Sequence, residues 1–338
     1  MDLIDLLEYM EDDGHRALKK YLVDVKNPLE YYCDEDFIKR YRFSKKTVLY
    51  LHGIIKQDDE LDTRCNGLPS LLQLVCALRF YAAGHFQITD GDLMGISRCT
   101  AMRSVHKVTR AICRKKSRFI GFPTDLARVK RQFYEIASFP NVVGAIDCTH
   151  VPIKSPGGDY AELFRNRKGY FSLNVQMICD AQRIVTRWQG STHDSRIFAN
   201  SRICDSFEER QIDGFLLGDS GYPSKPYLLT PVPSVTTRAE GKYNRSHIKT
   251  RVRIEQCFGV LKKRFHVLAS PLRTRLDNTT NIIVAVTCLH NLAIYTKQPE
   301  PDYSDYLADE ADRSEVQSTS SGSGEAVRRS VIERYFSQ

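Results

Sequence analysis

No stretch of the 338-residue chain approaches the about eighteen apolar residues that a membrane-spanning helix needs, and no secretory signal opens it. The cysteines lack pairing: Cys33, Cys65, Cys76, Cys99, Cys113, Cys148, Cys179, Cys204, Cys257 and Cys288 are scattered singly, mostly within apolar runs, with no CxxC and no zinc-ligand spacing. That pattern excludes a disulfide framework and points to buried reduced thiols in an intracellular compartment. There is no internal repeat, which excludes a solenoid. Acids are scarce in two windows: residues 103 to 131 hold ten Lys or Arg against one acid, and residues 238 to 264 hold nine against two. A net charge of +8 spread evenly would mean little, but clustered in this way it suits a polyanion. A hydrophobic content of 42% is enough to build a sizeable core in each of two domains.

The apolar spacing divides the chain into three. Residues 1–135 have helical periodicity almost throughout, in LIDLLEYM, DFIKRYRFSKKTVLYLHGII and LPSLLQLVCALRFYAAG, and predict an all-α domain. Residues 136–296 begin with short strands. NVVGAIDCTHVPIK, SLNVQMICD and RIVTRWQG, with a turn at Asp180-Ala181-Gln182, predict an antiparallel meander. A crossover helix in DSRIFANSRICDSFEER then leads to the brief buried strand Phe215 to Gly218, which should pair in parallel with the first. The proline-rich GYPSKPYLLTPVPSV has room for at most one edge strand, and HIKTRVRIEQCFGVLKKRF and NIIVAVTCLHNLAIY read as helices. Residues 297–338 form an acidic, Ser-rich tail expected to be disordered up to a short terminal helix, EAVRRSVIERYF.

Within the α domain, residues 88–113 have helix-turn-helix spacing. Thr89 and Asp92 suggest a capping box, Gly95-Ile96 a turn, and Ser97 the cap of a second helix about 16 residues long. On that second helix Ala101, Val105, Val108 and Ile112 share one face, and Arg103, Lys107, Arg110 and Arg114 lie opposite. Contact with DNA phosphates and an ordinary solvated face are both consistent with this pattern.

Asp147 follows five small or apolar residues in VVGAIDCTHVPIK, where an uncompensated carboxylate would be costly, so it invites a metal or a salt bridge. Read as ending its strand, Asp147 would lie beside Asp219, which ends the parallel partner strand. Glu255 falls inside a helical arc defined by Ile248, Val252, Phe258, Leu261 and Phe265, on the core side. Each has a plainer role available: Glu255 as partner of Arg251 or Lys262, Asp219 as a turn residue, and Asp194, near His193, as an acid at a helix amino terminus. If the acids converge, hard oxygen donors without a Cys or His cluster suit Mg²⁺ or Mn²⁺. Two such ions about 4 Å apart can drive in-line phosphodiester displacement. Arg165, Arg167 and Lys168, and Lys242, Arg245, Lys249 and Arg251, flank these acids and could hold DNA or lie in solvent.

A βββαβ order with acids at Asp147, Asp219 and Glu255 resembles the ribonuclease H-like fold of DDE transposases, as do the 35 residues between the second acid and the third. The blocks GAIDCTHVPI, NRKGYFSLNVQ, GSTHDSRIF, LLGDSGYP, NRSHIKTRVRIEQCFGVLKKRF and CLHNLAIY are similar, in order, to those of the PIF/Harbinger superfamily over about residues 60 to 295. The resemblance implies an α/β, ribonuclease H-like mixed sheet flanked by helices, preceded by the helix-turn-helix domain. It implies a metal-dependent transposase, or a nuclease derived from one, with Asp147, Asp219 and Glu255 as catalytic triad and Asp194 near the metals. The expected activity is hydrolysis of double-stranded DNA at terminal repeats and joining of 3′ hydroxyls to target DNA. The expected setting is the nucleus, with a cytoplasmic pool, a Myb/SANT-like partner protein, and a dimer on DNA. A domesticated nuclease or non-cleaving DNA-binding adaptor is the alternative.

Overall fold

The computed structural model describes residues 27–58, 61, 67–84, 96–181, 184–190, 198, 202–301 and 322–337. LIDLLEYM, the first helix of the proposed helix-turn-helix with Thr89 and Asp92, residues 191–197 with His193 and Asp194, and residues 302–321 of the tail lie outside these.

Among the described residues, the amino-terminal part holds the helices α1 (Pro28–Tyr31), α2 (Asp34–Tyr41), α3 (Lys45–Ile55), α4 (Ser70–Ala83) and α5 (Arg98–Arg114). DFIKRYRFSKKTVLYLHGII is thus two helices. Arg42 turns into the left-handed region at φ 67°, and the Ser44 side chain accepts from the Thr47 N–H to open α3. The α5 boundaries follow the expectation, with the Ser97 side chain accepting from the Thr100 N–H and Ala101, Val105, Val108 and Ile112 all buried. After α6 (Leu126–Ala137) comes the sheet: β1 (Val142–Pro152), β2 (Ser172–Cys179), β3 (Ile184–Gly190), then α7 (Arg202–Glu208), β4 (Phe215–Leu217) and β5 (Leu228–Leu229). Its order is β3-β2-β1-β4-β5, antiparallel from β1 to β3 and parallel between β1, β4 and β5. This is the mixed sheet expected from the meander and crossover, with the two-residue β5 as its proline-flanked edge.

The sheet is flanked by α8 (Arg238–Arg264) and α9 (Leu276–Tyr295). α8 starts well before the predicted helix because Thr237 and Glu240 form a reciprocal capping box. A single hydrophobic cluster joins Phe37, Leu51, Leu78 and Val108 of the helical part to Val151 and Met177 of the sheet and to Phe258, Leu261 and Leu289 of α8 and α9. Burying each such side chain stabilises the fold by about 1.5–3 kcal/mol, so the core runs unbroken past residue 135.

The terminal helix, α10 (Gly322–Tyr335), begins before the predicted EAVRRSVIERYF and is docked rather than merely present. Val331, Ile332 and Phe336 pack with Phe139, Leu217 and Tyr243, and buried Arg328 donates to the Thr230 and Pro231 carbonyls. A Cβ on Gly324 would run into the carbonyl of Ser224, so glycine sets this approach. None of the nine cysteines among the described residues forms a disulfide, and no helix among them is long and apolar enough to cross a membrane.

Candidate active site

Asp147 does not end its strand. It sits in the middle of β1, opposite Met177 of β2, because the antiparallel meander carries β1 on to Pro152. What ends near Asp147 is the parallel pairing with the short β4. Ala145 pairs with Leu217, so Asp147 and Asp219 each stand two residues beyond the last parallel rung. The two acids therefore hold equivalent register positions, each just past the end of the paired segment. Asp219 is half-buried and organised by its own turn, its Oδ1 accepting from the Gly221 N–H at 3.0 Å.

Asp147 is 2% exposed. Its Oδ1 accepts from the Cys148 N–H at 2.8 Å, and its Oδ2 accepts from Nη1 of Arg251 at 2.8 Å. The other terminal nitrogen of that guanidinium, Nη2, donates to Oε1 of Glu255 at 2.7 Å. One arginine fork thus bridges a strand carboxylate and a helix carboxylate, with the Arg251 side chain 13% exposed. Both plain expectations are present together: Asp147 has its salt bridge, and Glu255 pairs with Arg251 one turn away.

The predicted buried arc of α8 needs correction. Ile248 is 51% exposed, and the arc is centred on Tyr243, His247, Thr250, Ile254, Phe258 and Leu261. Glu255 and Arg251 lie along its border, half-buried. The hydrophobic pattern misplaces the arc because His247 and Thr250 are polar yet buried through hydrogen bonds to the Leu229 and Ser246 carbonyls. Burial, reinforced by Arg251 and Arg328, pushes the His247 imidazole down to about 3.

The basic candidates sort by environment. Arg103 and Arg110 are exposed on α5 and Lys107 is half-buried, while Arg114 makes a two-point ion pair with Asp58. Arg167 and Lys168 are exposed. Arg165 is bound to Glu162, donates to the Gly169 carbonyl, and stacks over Phe171 at 4.4 Å. Arg245 and Lys249 are exposed and Lys242 is half-buried on α8, within nine residues before Arg251, which reaches both Asp147 and Glu255. That role for Arg251 was one of two partners weighed for Glu255, but its reach to Asp147 needed tertiary structure. His150 is exposed and meets Ser172, and half-buried Cys148 meets the Tyr222 hydroxyl, which fits packing and surface roles.

Among the described residues, no three His, Cys, Asp or Glu side chains converge closely enough to hold a metal ion. The chemistry of the donor set nevertheless fits a hard divalent cation. Two carboxylates from separate elements already share one cationic group, and Asp219 holds a register position equivalent to that of the first.

The profile of the DDE superfamily endonuclease family matches residues 146–291, the span from β1 through α9 that carries these acids. The human protein named "Putative nuclease HARBI1" is 34% identical over 302 residues, covering 86% of this chain and 84% of that protein. This chain belongs to the Harbinger-derived DDE superfamily endonucleases. The rat protein of the same name is 35% identical over the same lengths. Arabidopsis thaliana "Protein ALP1-like" is 24% identical over 281 residues, 75% of this chain and 69% of that protein. No solved structure matches the chain significantly. Endonucleases of this superfamily generally use divalent metals.

Proposed function

We propose that this chain is a divalent-metal-dependent DNA endonuclease with a ribonuclease H-like catalytic fold, in which Asp147, Asp219 and Glu255 are the catalytic carboxylates and hold the metal, with Asp194 as a further ligand. The observation that supports this reading is the parallel register whose last rung lies two residues before both Asp147 and Asp219, together with the one cation that joins Asp147 to Glu255. Mg²⁺ or Mn²⁺, when bound, would supply Lewis acidity that activates a water or 3′ hydroxyl and neutralises the leaving oxygen.

The chain's own residues supply position and charge. Asp147 is fixed by its pairing with Met177 of β2 and a backbone hydrogen bond, and Asp219 by its Asx turn, so their oxygens are held before substrate arrives. Arg245 and Lys249 on α8, Arg167 and Lys168 before β2, and Arg103, Lys107 and Arg110 on α5 would meet backbone phosphates. The same centre serves hydrolysis at terminal repeats and strand transfer to target DNA. A Myb/SANT-like partner, a dimer on DNA and a nuclear location complete the proposal.

In a nicking assay on terminal-repeat DNA with Mg²⁺, Asp147→Asn, Asp219→Asn and Glu255→Gln should each lower cleavage by about two orders of magnitude or more. Unchanged cleavage in all three would sink the active-site assignment.

A second reading, a non-cleaving DNA-binding adaptor, has a specific observation in its favour: Arg251 compensates Asp147 and Glu255 without a metal, so the carboxylates can persist for stability. Wild-type protein that binds DNA but never nicks it, in Mg²⁺ or Mn²⁺, would decide for that reading.

A further inference from the structure

The Arg251 fork uses Oδ2 of Asp147 and Oε1 of Glu255, at 2.8 and 2.7 Å. The remaining oxygen of Asp147 takes the N–H of Cys148, so both of its oxygens are engaged. An ordinary i,i+4 pair would tie Arg251 to Glu255 alone and lie in solvent. Here the Arg251 side chain is 13% exposed and crosses from helix to sheet, onto Asp147, whose side chain is 3% exposed. A charge buried to that degree requires compensation at all times.

A divalent ion bridging Oδ2 of Asp147 and Oε1 of Glu255, the two oxygens that the fork joins, would take the position that the guanidinium fills. Guanidinium and divalent ion therefore exclude each other there. We propose that Arg251 is an exchangeable counter-cation: it positions Asp147 and Glu255 while no metal is bound, must leave when metal enters, and thereby couples metal binding to DNA binding. The coupling follows from charge. Once displaced, the guanidinium loses both anions, and a DNA phosphate beside exposed Lys249 and Arg245 restores one. Each ligand then raises the affinity for the other by the same factor. This inference rests on the metal-binding reading above. Arg251 acts through the acids and is a positioning residue.

The test is Mn²⁺ affinity, read by electron paramagnetic resonance, on the full chain with and without a mixed-sequence DNA duplex. Arg251→Gln should bind Mn²⁺ at least about fivefold tighter than wild type when DNA is absent. The duplex should raise wild-type affinity by a similar factor and that of Arg251→Gln hardly at all. Arg251→Lys keeps a cation but not the fork, and should restore part of the DNA coupling, which a purely structural role would not do. Circular dichroism confirms that each variant is folded at the assay temperature, and if Arg251→Gln is not, the wild-type and Arg251→Lys titrations carry the same comparison. Equal or weaker Mn²⁺ binding by both variants, with no DNA coupling in wild type, overturns the proposal and leaves the metal site standing. Mn²⁺ binding by none of the proteins, with or without DNA, overturns both.

Discussion

The two basic segments look alike as sequence and differ in what their cations do. α5, with Arg103, Lys107 and Arg110 opposite a buried apolar face, carries most of its charge outward, and its internal ion pair, Arg114 with Asp58, lies at its end. α8 turns part of the same charge inward. Arg251 is committed to two carboxylates, and Arg264, 2% exposed, donates to the Pro299 carbonyl. Charge density therefore locates a candidate polyanion surface, but burial decides which cations remain for it. Exposed cations exchange freely with phosphate and salt, whereas a desolvated cation such as Arg251 stays with its internal partners until another cation takes its place.

The largest effect that sharpens this contrast is on stability. Arg251→Gln removes the cation that bridges buried Asp147 and Glu255. In chelator it should lose about 3 kcal/mol of unfolding free energy, read as a lower denaturant midpoint at unchanged slope. Saturating Mn²⁺ should recover most of that. A loss below about 0.5 kcal/mol would put Arg251 in the same class as the α5 surface charges.

Much of this architecture could be read in advance because the signals were local. Alternating runs separated by Asp180-Ala181-Gln182 marked the meander, and the apolar spacing of Val105, Val108 and Ile112 marked α5. The parallel pairing of the strands that precede Asp147 and Asp219 followed from one inference, that a strand-helix-strand connection pairs in parallel. The early start of α8 was written as Thr237 and Glu240 but hidden by the prolines before it. Three things were not local. The extension of β1 past Asp147 depends on its antiparallel partner, and burial of His247 and Thr250 depends on hydrogen bonds that hydropathy does not register. The reach of Arg251 to Asp147 spans 104 positions in the chain, which no spacing rule addresses.

Acid provides the next contrast. His247 of α8 has its pKa lowered by burial from 6.5 to about 3, and His290 of α9 shares that shift. His106 of α5 is also lowered, by partial burial and then by Arg110, but remains half-exposed. A folded-state value below the unfolded one means that the unfolded chain binds the extra proton between the two. The stability these groups contribute is thus complete above pH 6.5 and declines as pH falls toward about 3. Near pH 5 the loss should be about 2 kcal/mol for each buried histidine. Melting temperature followed from neutral to acid pH should fall accordingly. His290→Leu should flatten the profile and His106→Gln should leave it nearly unchanged. A flat wild-type profile down to about pH 5 would show that neither imidazole is held neutral.

The smallest effect on stability falls on α5, and it bears directly on what this helix does. Arg103, Lys107 and Arg110 lie opposite the face that the core buries, so replacing all three by Gln should change unfolding free energy by no more than about 0.5 kcal/mol each. If these side chains face DNA phosphates, the dependence of log affinity on log salt should become shallower by about 0.9 for each phosphate no longer neutralised, uniformly across sequences. Sequence preference should persist wherever it rests on base recognition elsewhere. An unchanged salt slope would assign the α5 cations to solvent and leave the exposed cations of α8 and of the segment before β2 as the remaining candidate DNA surface of the described chain.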